Sequence, residues 1–78
     1  MNLLYEIKLY FDKLIEYSII EKKPEFNEID NIAEKCYHRN YKELTKYISK
    51  DLEEEKRNEL SSRVDKIKEI IKDDKKGN

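Results

Sequence analysis

Cys36 and His38 are the two side chains in this sequence with a chemistry beyond packing and ion pairing, and they lie two positions apart. A thiol and an imidazole can hold a metal ion or share a proton in nucleophilic catalysis, provided both reach one point in space. On a helix, positions two apart point about 200° away from each other, so this pair does not converge. Cys36 falls on an apolar stripe and reads as a small buried hydrophobe rather than a redox group. Glu34, His38 and Lys42 do align at four-residue spacing, yet such residues more commonly form solvated ion pairs. No metal and no cofactor are expected.

Carboxylates crowd residues 51–55, where Asp51, Glu53, Glu54 and Glu55 could be suspected of acid or base work. Their place at the start of a predicted helix gives them a simpler role, because negative charge there complements the helix dipole. Neither a glycine-rich phosphate loop nor a nucleophile elbow occurs. The sequence therefore points to a protein that is not an enzyme.

Two surfaces remain as candidates for binding. Lys35, His38, Arg39, Lys42 and Lys46 fall in an arc of roughly 100° on one predicted helix, with Lys50 close by. Such a basic ridge could follow a nucleic-acid backbone or meet an acidic protein. The alternative is that neighbouring acidic residues neutralise it. The six tyrosines form the second candidate, since tyrosine joins a large apolar ring to a hydroxyl that tolerates water. Tyr37 and Tyr41, together with Tyr5, Leu9 and Ile20, are the residues expected to meet a partner protein, because aromatic residues are enriched at interface hot spots.

The elements that must position these groups are helices. One Gly and one Pro in 78 residues leave few breakers, and strand-like alternation is absent. The spacing predicts helices over 3–21, 25–48 and 50–72, followed by a frayed tail over 73–78. In the first, Leu3, Leu4, Ile7, Tyr10, Phe11, Leu14, Ile15 and Tyr17 share an arc of roughly 160°. Tyr5, Leu9 and Ile20 fall on its far side. Pro24 suits the first turn of the second helix, whose stripe runs from Phe26 through Ile29, Ile32, Ala33, Cys36, Tyr37, Tyr41, Leu44 and Tyr47 to Ile48. Asn40 followed by Glu43 resembles a capping box, so a break there is the alternative to one long helix. Ser49 could cap the third helix, whose narrow stripe is Leu52, Leu60, Val64, Ile67 and Ile71.

The expected architecture is a single all-α domain, a small three-helix bundle with the first helix at its centre. A chain this short is near the lower size limit for an independent core, and its single cysteine excludes an intrachain disulfide. The apolar surplus of the first helix consequently predicts self-association through that helix, as a homodimer.

Charge narrows the function further. Charged residues make up 45% of the chain, but 17 basic and 18 acidic side chains leave a net charge of -1. Generic binding to DNA or to an anionic membrane usually goes with a basic excess, so contact of that kind would need a local patch. Charges interrupt the N-terminal apolar run, which reads neither as a membrane span nor as a signal-peptide core, and a cytoplasmic protein is expected. Surplus apolar surface, abundant Tyr and the missing catalytic group fit a regulator, adaptor or inhibitor that binds a larger protein, and size and composition are of the kind encoded by phages and mobile elements. A nucleic-acid-associated regulator using the basic ridge is the alternative.

Overall fold

The computed structural model describes residues 2–76, which form α1 (Leu3–Glu16), α2 (Phe26–Tyr37), the single turn α3 (Lys42–Thr45) and α4 (Glu54–Lys76). The fold is all-α, with no strand among the described residues. It has three long helices as expected, but each long helix ends or begins elsewhere than the apolar spacing predicted.

α1 starts at Asn2, whose Oδ1 accepts the Tyr5 N–H at 3.2 Å and so satisfies one of the free donors of the first turn. It stops at Glu16 rather than at residue 21. Ser18 takes a left-handed conformation (φ 60°), the Ser18 N–H donates to Ile15 O at 2.9 Å, and the Ile19 N–H donates to Leu14 O at 2.8 Å. This is a Schellman closure, which commonly brings the residue beyond the turn against the last helical turn. Ile19 and Ile20 accordingly fold back onto the core.

The same device ends α2. Arg39 is left-handed (φ 65°), with Arg39 N–H to Cys36 O at 2.9 Å and Asn40 N–H to Lys35 O at 2.9 Å. The predicted helix over 25–48 is therefore broken, as the Asn40 signal allowed. Asn40 Oδ1 then accepts the Lys42 N–H at 3.1 Å and opens α3.

Ser49 does not cap α4, since its Oγ accepts the Asp51 N–H at 3.1 Å inside the connecting segment. That segment is held to α4 by Arg57, whose Nη1 donates to Lys50 O at 2.8 Å and Leu52 O at 3.1 Å. α4 begins at Glu54 and continues through residues predicted to fray, because nothing before Gly77 breaks a helix. Residues 77 and 78 of the predicted tail lie outside the described residues. At 23 residues α4 is the longest element and runs along the 39 Å dimension of the molecule.

α1 sits between α2 and α4 and gives each of them a face. Leu3, Ile7, Tyr10, Phe11 and Leu14 meet Ile29, Ile32, Ala33 and Cys36 of α2, Leu44 of α3, and Leu60, Val64, Ile67 and Ile71 of α4 in one core. Full burial stabilises each large apolar side chain by roughly 1.5–3 kcal/mol. Phe11 stands edge-on to Tyr10 at 5.8 Å and to Tyr47 at 6.1 Å, an arrangement that suits aromatic quadrupoles. Glu6 is the one buried charged residue among those described, with its carboxylate 3.8 Å from Lys66 Nζ of α4.

Inside this core the Tyr10 hydroxyl donates to Leu44 O at 2.6 Å, across 34 positions of sequence. A single turn such as α3 has little stability of its own, and this bond ties it to the central helix. Tyr10→Phe should leave the Leu44 carbonyl with only the long 3.4 Å bond from the Tyr47 N–H and cost about 0.5–1.5 kcal/mol, read as a lower urea midpoint at unchanged slope. Ser18→Gly and Arg39→Gly should each raise the midpoint, by about 0.5–1 kcal/mol, because glycine adopts the left-handed conformation without steric cost.

Candidate interaction surface

A groove of about 360 Å³ separates the N-terminal half of α1 from α2. Leu3, Leu4, Ala33 and Tyr37 give it apolar walls, and Asp30 and Glu34 give it carboxylates. The helices run antiparallel here, with Leu4 facing the end of α2 and Lys8 reaching its start, where Lys8 Nζ lies 5.4 Å from the Phe26 ring centre. Phe26, Asp30, Ala33 and Tyr37 recur at four, three and four positions, which sets them along one flank of α2.

Of the large apolar side chains left exposed, Tyr37 lines this groove, Phe26 lies at the start of α2 and Tyr5 lies on α1. Phe26 is 61% exposed, Tyr5 58% and Tyr37 47%, and no other large apolar residue among those described is exposed. Of the five residues expected to meet a partner, Tyr5 and Tyr37 are therefore open to solvent. Leu9 is partly buried on the outer side of α1. Ile20 does not join Tyr5 and Leu9, because α1 ends before it and the chain turns back; it lies with Pro24 and Tyr47 beside a separate, smaller hollow. Tyr41 is half-buried against the core, with Lys68 Nζ 5.2 Å from its ring centre.

Phe26 was missed as a surface residue because the apolar stripe of α2 absorbed it. Its angular position carries the signal, since Phe26 and Tyr37 both fall about 80–100° from Cys36 around the helix, at the margin of the buried arc.

The basic ridge does not survive as a row. The turn over 38–41 separates Lys35 from Lys42 and Lys46, and Glu43 lies between the two ends, with carboxylate oxygens 3.3 Å from Lys35 Nζ and 3.0 Å from Lys46 Nζ. Hydrogen bonds from Lys46 and Lys35 hold the Glu43 carboxyl below the usual range. Arg39 turns back to donate to Tyr37 O at 3.4 Å, and Lys42 is exposed. The Glu34–His38–Lys42 alignment is broken by the same turn. Its surviving pair, His38 Nε2 to Glu34 Oε1 at 3.6 Å, is largely solvated.

Cys36 is fully buried, and burial pushes its thiol up to about 11, so it carries no thiolate at neutral pH. Among the described residues, no three His, Cys, Asp or Glu side chains gather to hold a metal ion, and no helix is long and apolar enough to cross a membrane. On α4, Arg63 Nε lies 2.8 Å from Glu59 Oε2, in a geometry too poor for a hydrogen bond. No protein family matches the chain, and no curated protein or solved structure matches it significantly.

Burial sets a pH dependence. The folded state keeps the Cys36 proton up to about 11, whereas an unfolded thiol releases it near 8.5, so this contribution is complete below about 8.5 and is lost as pH rises toward 11. Burial raises Tyr10 in the same direction, reinforced by Tyr47, and extends the loss to higher pH. Between pH of about 8 and about 10.5, Cys36→Ala should lose about 1–2 kcal/mol less stability than the parent chain. Denaturation midpoints at the two pH values measure the difference, and equal losses would contradict the assignment.

Proposed function

We propose that this chain is a small non-enzymatic interaction module, a regulator, adaptor or inhibitor, that contacts a larger protein through the groove between α1 and α2. The observation that carries the reading is the exposure of three large aromatic residues, Tyr5, Phe26 and Tyr37, with Tyr37 lining a groove whose other apolar walls are Leu3, Leu4 and Ala33. Aromatic side chains beside a groove are efficient anchors, since they bury large areas at a small cost in rotamer freedom.

Self-association through α1 has less to support it. The face that needed cover, Ile7, Tyr10, Phe11 and Leu14, is already sheltered within one chain. Tyr5, Leu9 and Ile15 remain, and three side chains are far short of the roughly 800 Å² per partner of a standard interface. A nucleic-acid role also loses support, because Glu43 pairs with both Lys35 and Lys46 and the turn at Arg39 disperses the rest.

Affinity purification from cells of the source organism tests the reading. The parent chain should recover a specific protein, and a Phe26→Ala/Tyr37→Ala variant should lose it while keeping the parent's helical circular dichroism. Both side chains are exposed, so their removal should change stability by no more than about 0.5 kcal/mol. Recovery of the same proteins by both forms, or of none by either, would count against an interaction role for this face.

A further inference from the structure

We infer that the α1/α2 groove receives a basic amphipathic helix of a partner protein, an inference that rests on the interaction reading and adds the chemistry of the partner. The groove is open and holds about 360 Å³, space for one or two bulky side chains rather than for a larger ligand. A helix laid in such a groove inserts apolar residues spaced three and four apart.

Charge identifies which helix. Asp30 and Glu34 are one turn apart on α2, both border the groove and both are exposed. Neither forms an ion pair with a described Lys or Arg, whereas Asp12, Glu16 and Glu43 each hold a lysine. Among the described residues, the basic group paired with Glu34 is His38 at 3.6 Å, which is charged only when protonated. Lys8 of α1 sits over the Phe26 ring, one turn before Asp30 on α2. An incoming helix with Lys or Arg beside its apolar residues would supply the missing countercharge.

A second copy of this chain fits less well. A two-fold contact brings a patch against its own image, so Asp30 and Glu34 would face the same carboxylates of the twin. Like charges set against each other disfavour that pairing.

Two synthetic amphipathic peptides of equal length and identical leucine positions make the test, one with lysine on its polar face and one with glutamate. Titrated against the whole chain by fluorescence anisotropy, the Leu/Lys peptide should bind and the Leu/Glu peptide should not, with binding weakened by added salt. Asp30→Lys/Glu34→Lys should weaken the Leu/Lys peptide by about tenfold or more and admit the Leu/Glu peptide. These exposed positions leave the core untouched, and circular dichroism of the variant checks its fold. Equal binding of both peptides, binding of neither, or an unchanged affinity in the charge-reversed variant would overturn the inference. If neither peptide bound while a partner dependent on Phe26 and Tyr37 were still recovered from cells, the basic helix would be excluded and the interaction reading would stand. Selective peptide binding with no such partner would separate the two in the opposite sense.

Discussion

The burial of Tyr10 and its hydroxyl's bond to Leu44 O is the contact on which the rest of the arrangement depends. Tyr10 is fully buried, so its hydroxyl must find an acceptor inside the protein. It finds one on α3, a turn too short to persist alone. Fixing α3 beside α1 places Tyr47 against Phe11 and starts the segment that leads to α4. Because α1 also packs against α2 on another side, one helix becomes the common support for all the others.

This central placement resolves the apolar surplus of the N-terminal segment without a second chain. Three helices, with α3 giving the single residue Leu44, cover the broad face of α1, while Ile19 and Ile20 fold back to close its C-terminal end. Exposed apolar area is then concentrated elsewhere, at the aromatic margin of α2 and at Tyr5. The fold leaves a groove with hydrophobic walls and two carboxylates that no described Lys or Arg pairs, and the interaction reading follows from that groove.

Much of the core was legible from spacing. The Ile7, Tyr10, Phe11, Leu14 stripe, the Leu60, Val64, Ile67, Ile71 stripe and the burial of Cys36 all follow from helical periodicity. The helix ends were not legible, because Ser18 and Arg39 adopt the left-handed conformation that usually announces itself as glycine. The turn at Arg39 also removed the basic ridge, which existed only on an unbroken helix. At the candidate surface, Tyr5 and Tyr37 were visible in advance and Phe26 was not. A residue at the edge of an apolar arc can face either the core or solvent, and periodicity does not decide between them; the neighbour that packs there does.

The central claim is that one chain shelters α1 by itself and leaves the aromatic groove open. Sedimentation equilibrium over a dilution series, joined to amide hydrogen exchange, tests it most directly. The account predicts a single species of one chain's mass at every concentration, with α1 amides the most protected and the ends of α2 exchanging early. A dimer that forms with rising concentration and adds protection along the outer side of α1 would contradict it.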